Sequence, residues 1–271
     1  MQKLLVITDI HVTAEGQHII GLDPLVRFRA ALAHALARHP DAAALVLLGD
    51  LAHRGLPEEY ARLAQALAGL PLPLLPMLGN HDRREAFRAA FPDAPRTTSG
   101  HVQQILDLPH HRVITLDTLD GPPYPAGHHS GRLCAARMDW LNAALAGAAG
   151  RVPLVFAHHP PFAVGIPGMD AIALAEGEAL IALLARHPGA HLFCGHLHRT
   201  VSGSRAGVPW TIFKSPCHQG PLDLESPDSS LSIDEPGAYG VLLLPEAGVI
   251  AHSEDVLDTP PPLRDASSAS R

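Results

Sequence analysis

The chain has 271 residues, 28.7 kDa and 46% apolar residues, enough for one large or two small domains with a closed core. Its 20 Lys+Arg against 27 Asp+Glu leave a formal charge of −7 with no basic run or stripe, which argues against a surface that binds nucleic-acid polymers by neutralising phosphates. No apolar stretch approaches the eighteen or so residues that cross a bilayer, so no membrane partner is expected.

Residues 4–8 form a short continuous apolar run, the pattern of a strand buried on both faces. Asp9 cuts that run before it becomes a signal core, and the expectation is a cytoplasmic protein starting at Met1. Asp23 before Pro24 is a cap followed by a first helical residue, and Leu25, Phe28, Leu32 and Leu36 then share one helical face. A second apolar run covers 44–48. Pro57 with Glu58 and Glu59 opens another helix, with Tyr60, Leu63, Ala64 and Leu67 inward. Further runs at 74–78, 112–116, 153–157 and 190–194 are joined by helical patterns over about 135–146 and 173–186. Strands alternating with helices predict an α/β layered domain. In the last third, runs at 201–204, 211–214, 240–244 and 249–253 read as antiparallel strands, which gives mixed sheets. One domain over 1–258 is expected, with 215–237, rich in Pro, Ser, Asp and Glu, as a long excursion, and 259–271 as a disordered tail.

Three cysteines, Cys134, Cys194 and Cys217, are an odd number without a C-x-x-C pair and suggest neither a disulfide framework nor a thiolate zinc site. The anomaly is nineteen histidines, because imidazole is the commonest metal ligand and a proton shuttle near neutral pH. In open α/β sheets ligands gather beyond the carboxyl ends of the strands. The apolar runs end there in Asp9-Ile10-His11, Gly49-Asp50, Gly79-Asn80-His81-Asp82, His158-His159 and Gly195-His196-Leu197-His198. Residues i and i+2 of extended chain point to the same side, so Asp9 with His11, and His196 with His198, can each converge on one site. Carboxylate, imidazole and amide donors without thiolate suit Mn, Fe, Co or Zn. Seven ligands are too many for one ion, whereas two ions bridged by one carboxylate would use them all, as in phosphate-ester hydrolases.

This ordered set, from Asp9 to His198, resembles the five-block signature of the calcineurin-like metallophosphoesterases. His158-His159-Pro160-Pro161-Phe162, Met169-Asp170 and His218-Gln219 are further similar to the bacterial class III cyclic-nucleotide phosphodiesterase and glycerophosphodiesterase subgroup. Gly-Asn-His-Asp in place of Gly-Asn-Arg-Asp sets the chain apart from the lipid A precursor hydrolase branch. The resemblance implies a four-layer α/β/β/α sandwich. It also implies that Asp9, His11, Asp50 and His198 hold one metal, that Asp50 bridges, and that Asn80, His158 and His196 complete the second. His81 would stand over the substrate phosphate as donor or acid, and the reaction implied is hydrolysis of a small soluble phosphodiester by a hydroxide between the metals.

His53 stands where such proteins usually carry Asp or Asn, and His159, His18 and His218 are further candidates for the pocket or its surroundings. Aromatics make up only 4% of the chain, and near the motifs only Phe162, Tyr124 and Trp210 are available to stack a base. This favours a small leaving alcohol, or broad promiscuity, over a stacked nucleoside. Arg54, Arg83 and Arg199 beside the motifs keep a phosphomonoesterase as the alternative, and a non-catalytic metal-binding scaffold as a third reading. The resemblance makes 215–237 a cap or a subunit interface. Leu222, Leu224, Leu231 and Ile233 in that polar stretch suggest a homo-oligomer.

Overall fold

The central strands are buried on both faces, and their alternating side-chain direction divides the apolar residues between two sides of each sheet. The structure, a computed structural model, describes residues 1–256; the predicted tail 259–271 and the last residues of the 1–258 domain lie outside them. The elements are β1 (Gln2–Ile7), α1 (Pro24–Arg38), β2 (Ala44–Leu48), α2 (Pro57–Ala66), β3 (Leu74–Met77), α3 (Arg84–Ala90), β4 (Gln104–Asp107), β5 (His111–Leu116), α4 (Ala135–Ala146), β6 (Val152–Ala157), α5 (Pro167–Asp170), α6 (Gly177–Leu184), β7 (His191–Cys194), β8 (Val201–Arg205), β9 (Val208–Ile212), β10 (Ala238–Leu244) and β11 (Ile250–Asp255). One sheet has the order β11-β10-β1-β2-β3 and the other β4-β5-β6-β7-β9-β8.

Strand period decides the layering. In β1, Leu5 and Ile7 face one way and pack with Phe28 of α1, Tyr60 of α2 and Phe87 of α3. Leu4 and Val6 face the other way and meet Phe156, Phe193 and Phe213 from the second sheet. The far face of that sheet, with Ile114, Val155 and Leu192, is covered by Leu141 and Leu145 of α4 and Leu180 and Leu184 of α6. Three apolar layers separate four structural ones, helix, sheet, sheet and helix, as the resemblance implied.

The helix starts follow their sequence signals. Asp23 accepts from the Leu25 and Val26 amides at 2.9 and 3.1 Å ahead of α1. Glu59 of α2 accepts from the Arg54 and Leu56 amides at 2.9 and 3.0 Å. Two expectations need correction, and two elements were not foreseen. The 211–214 run overlaps β9 only at 211–212, and β9 pairs parallel with β7 and antiparallel only with β8. The helix expected over 173–186 is confined to Gly177–Leu184, because Leu174 donates to the Pro160 carbonyl and Ala173 accepts from Gly131, tying that segment to neighbouring loops. The short α3 and the half-exposed edge strand β4 carried no pattern long enough to be read.

Candidate metal centre

The carboxyl ends of β1, β2, β3, β6 and β7 meet at one end of the sandwich, and the loops leaving them are tied to each other by backbone hydrogen bonds. Asp9 N donates to Gly49 O at 3.0 Å and His11 N to Asp50 O at 2.9 Å, which extends the β1–β2 pairing past the strands. The two sheets are joined at Asp9, whose carboxylate oxygens accept from the His196 amide at 3.1 and 3.0 Å and from the Thr8 hydroxyl at 2.7 Å. Gly195 permits that approach, since a Cβ there would lie 2.8 Å from Asp9 Oδ2 and closer still to Thr8 Oγ1. Asp82, fully buried, accepts from the amides of Leu51, Ala52 and Gly79 and from the Tyr60 hydroxyl, and so locks the β2 and β3 exits together. Five side chains here sit on left-handed backbone: Asp9 at φ 53°, His11 at 51°, Asp50 at 48°, His196 at 72° and His198 at 51°. Each costs about 1 kcal/mol or more relative to ordinary backbone, a concentration typical of functional sites.

The hydrogen bonds fix which imidazole nitrogens are free. His158 donates Nδ1–H to the Leu48 carbonyl at 2.9 Å, so the lone pair of the neutral ring is on Nε2. That nitrogen is buried, lacks hydrogen-bond geometry to any partner, and lies 3.3 Å from Asp50 Oδ2 and 3.8 Å from Asp9 Oδ1. His198 donates Nδ1–H to His218 O at 2.9 Å, which leaves its Nε2 lone pair 3.0 Å from Nε2 of His11. Two nitrogens about 2.1 Å from a common ion at right angles would be about 3 Å apart. Asn80 Oδ1 and His196 Nε2 are likewise buried without partners. Donor atoms of Asp9, His11 and Asp50, of His11, His198 and His218, and of His158, His159 and His196 cluster within 4.8 Å. These unpartnered lone pairs and carboxylates fit metal ions, and every ligand expected from the sequence is brought to this one place. Burial pushes His11 and His196 well below the ordinary imidazole range, which keeps them neutral as ligation requires. At His158 burial acts in the same direction but is outweighed by the Asp50 carboxylate, which raises it to about 9.

Above this cluster lies a cavity of about 350 Å³ whose floor includes Asp50, Asn80, His81, His196 and His198. Ile19, Ile20, Ile166, Met169 and Ile172 form an apolar wall, and the segment 220–232 closes the opposite side with Asp223, Asp228 and four serines. Among the described residues, no arginine, lysine, phenylalanine, tyrosine or tryptophan lines it. Arg54 is exposed, Arg83 stacks 4.5 Å over the Tyr124 ring, and Arg199 donates to Gly220 O. Phe162 packs on Trp210 at 4.6 Å, away from the cavity. Of the secondary candidates, His53 and His218 line the cavity. Burial lowers His53 to about 4 and His218 to about 2. His159 does not line it; it is buried behind the floor, accepting from Thr118 Oγ1 at 2.7 Å and donating to His129 O at 3.1 Å. His18 is exposed and also stands outside the lining. His129, in the cavity wall, escaped the sequence reading because it ends no strand. Its only signal was an adjacent pair, His128-His129, one of three in the sequence, in a loop rich in Pro and Gly.

Residues 2–200 match the model of the family described as calcineurin-like phosphoesterase. A probable cyclic nucleotide phosphodiesterase of Rhodopseudomonas palustris is 42% identical over 252 residues, 92% of this chain and 91% of that protein. A glycerophosphodiester phosphodiesterase of Enterobacter lignolyticus is 33% identical, over 79% of each chain. Among solved structures, a dimetal phosphatase from Danio rerio superposes with a TM-score of 0.70 at 15% identity, covering 94% of this chain and 96% of that one, a likeness of fold.

Proposed function

The chain belongs to the calcineurin-like phosphoesterase family, and on that premise we propose that it is a binuclear metal-dependent phosphodiesterase acting on small soluble diesters, either cyclic nucleotides or glycerophosphodiesters. The observation that carries the reading is the convergence of seven donors from five strand ends with Asn80 Oδ1 and His158 Nε2 left buried and unpartnered. Asp9, His11, Asp50 and His198 would hold one ion and Asp50, Asn80, His158 and His196 the other, with Mn, Fe, Co or Zn matching the donor types. Bound ions supply an acidified water as nucleophile and neutralise charge on the phosphoryl oxygens.

The remaining chemistry belongs to side chains. The Asp50 carboxylate is held in place by the His81 amide, which donates to its Oδ1 at 2.8 Å. His81 itself donates Nδ1–H to the His53 carbonyl at 2.7 Å, so Nε2 is the nitrogen left for substrate. As an imidazolium it would give its proton to the leaving alkoxide. The apolar wall of isoleucines and Met169 excludes water from the side away from the metals, where a leaving alcohol would sit. Absence of arginine and lysine from the lining favours a diester monoanion over a monoester dianion, and absence of large aromatics favours a small alcohol over a stacked base.

In this reading 1–258 is one domain and 215–237 its cap. Leu222 and Leu224, 62% and 60% exposed, support association into a homo-oligomer, for which a monomer by ultracentrifugation at micromolar concentration would be the contrary result. Among the described residues no helix is long and apolar enough to cross a membrane. The functional test is kcat/KM for bis-p-nitrophenyl phosphate against p-nitrophenyl phosphate on chelator-stripped protein reconstituted with Mn²⁺. Diester preference is the expected result; monoester preference, or no turnover with two ions bound, refutes it.

A further inference from the structure

Asn80 carries an amide whose two ends have opposite chemistry, and only its oxygen suits a cation. Its Nδ2 stands 2.8 Å from Nδ1 of His129, while its Oδ1 is buried with no partner. An amide NH₂ only donates, so His129 Nδ1 accepts, and the neutral His129 ring must carry its proton on Nε2.

The ring that receives this bond is held from three directions. The His129 carbonyl accepts from His159 Nε2 at 3.1 Å, and His159 Nδ1 in turn accepts from the Thr118 hydroxyl at 2.7 Å. Gly131 makes room for that staple, since a Cβ there would lie 2.5 Å from His159 Nδ1. On its face, His129 stacks on His81 with centroids 5.1 Å apart and planes at 28°. His81 stacks in turn on His53 at 5.5 Å and 19°. In this column the His81 and His129 rings, when neutral, have opposite tautomers. Neutral His81 offers an acceptor at Nε2, because its Nδ1–H is given to His53 O, whereas neutral His129 offers a donor.

We propose that His129 is a positioning residue of this centre: it holds the Asn80 amide with oxygen toward the metal position, and the Nε2–H this leaves on its own ring serves the phosphodiester oxygens beside His81. The inference rests on the metal-dependent reading above. Without the bond to His129 the Asn80 amide is free to turn its NH₂ toward the cation position, where it cannot ligate.

The test uses two variants of the full chain. His129→Phe keeps an aromatic ring against His81 and loses both hydrogen-bonding nitrogens; His129→Gln restores an acceptor and a donor. Chelator-stripped proteins of equal circular dichroism are titrated calorimetrically with Mn²⁺ in the absence of substrate. One of the two sites should weaken by about 10–100-fold in the Phe variant, the scale for removing a group that orients a ligand, and should recover in the Gln variant. At saturating Mn²⁺ the Phe variant should then lose kcat on the diester more than it raises KM. A Phe variant that titrates like the natural protein, or a Gln variant no better than Phe, overturns the proposal. Natural protein that binds two ions but turns over no diester refutes the proposed function instead, and the titration still decides the role of His129.

Discussion

Gly79→Ala should disable the centre while leaving the fold intact. Gly79 has no left-handed φ, so alanine meets no backbone penalty, and the difficulty is space alone. A Cβ would stand 2.5 Å from the Asp50 amide nitrogen, 2.6 Å from His158 Nε2 and closer still to Asp50 Oδ1. Ordinary contact begins at 3.4 Å, so 3.4 − 2.5 leaves about 0.9 Å to be found. The backbone cannot supply it easily. Asp82 holds the amides of Gly79 at 2.9 Å and Leu51 at 3.1 Å in one carboxylate, and parting them would break that buried hub. The contact with the Asp50 amide therefore strains that hub, and the contacts with Oδ1 and Nε2 push the Asp50 carboxylate and the His158 ring aside. Overpacking of this kind costs about 1–3 kcal/mol of stability, and moving reacting groups by about 1 Å costs about 10²-fold in rate. Gly147→Ala is the control: its Cβ would meet Arg112 Nη1 at 2.8 Å, the end of a long side chain far from the cavity. Urea unfolding, bound metal per chain and kcat/KM for bis-p-nitrophenyl phosphate should show a modest stability loss, depleted metal and about 10²-fold slower turnover only for position 79. Full metal content with turnover within about twofold of the natural protein would show that the crowding argument is wrong.

Asp50→Ala should abolish metal occupancy and turnover together, because it removes the shared ligand, whereas His81→Ala should keep the metals and slow turnover by about 10²-fold or more. Loss of metal from His81→Ala, read by elemental analysis, would contradict the role given to it. Asp117→Ala should destabilise by about 3–5 kcal/mol in urea, because it strands Arg84, bonded to it at 2.8 and 2.7 Å, and leaves Arg137 unpaired beside it. A change under about 1 kcal/mol would show that these guanidinium groups find other partners. Burial lowers His191 from 6.5 to about 4, so between those values the unfolded chain binds a proton that the folded one does not. Stability contributed there is present above about 6.5 and lost as pH falls toward about 4, and His191→Leu should flatten that part of the urea-midpoint profile. An unchanged slope would remove His191 as a source of acid sensitivity.

What the sequence made legible follows from where its information is dense. Strands buried on both faces write continuous apolar runs, so β2 was found at its observed bounds and β5, β6 and β7 to within one residue. The candidate ligands stood out for a related reason: a strand end that carries Asp, His or Asn, at several places after Gly, contrasts sharply with the apolar run before it. Pairing partners were not written in the same way. Nothing in the 208–212 residues distinguishes a strand parallel to β7 from one that only closes a hairpin with β8, because Val208 and Ile212 are apolar and buried alike in either arrangement. The arginines beside the motifs misled because adjacency in sequence does not aim a side chain. Arg83 turns to Tyr124 and Arg199 to Gly220, so among the described residues neither arginine nor lysine lines the cavity.

The backbone of the centre was the least legible part, and it explains the distribution of glycines around it. Glycine is the residue that tolerates left-handed φ, yet Asp9, His11, Asp50, His196 and His198 adopt it. A glycine at those positions would relieve the backbone and supply no donor atom. Glycines instead stand at 79 and 195, where space beside Asp50, His158 and Asp9 is needed and no ligand is. Five strained residues at about 1 kcal/mol or more each are a substantial share of the 5–15 kcal/mol that stabilises a typical domain. That strain is sustained by the hydrogen bonds that zip the β1 and β2 exits and by the Asp82 hub, so the ligands are held in place by the rigid sheets beneath them before any ion arrives. The base of the 215–237 segment shares this framework, through Ser215 Oγ to Asp9 O and Gly220 N to His198 O, but its tip does not. Ser226 and the 228–232 segment bond mainly to their own turns, as Asp228 does to the amide and hydroxyl of Ser230. On the proposed reading of 215–237 as a cap, changes at its tip would alter the choice of diester while leaving the candidate ligands untouched.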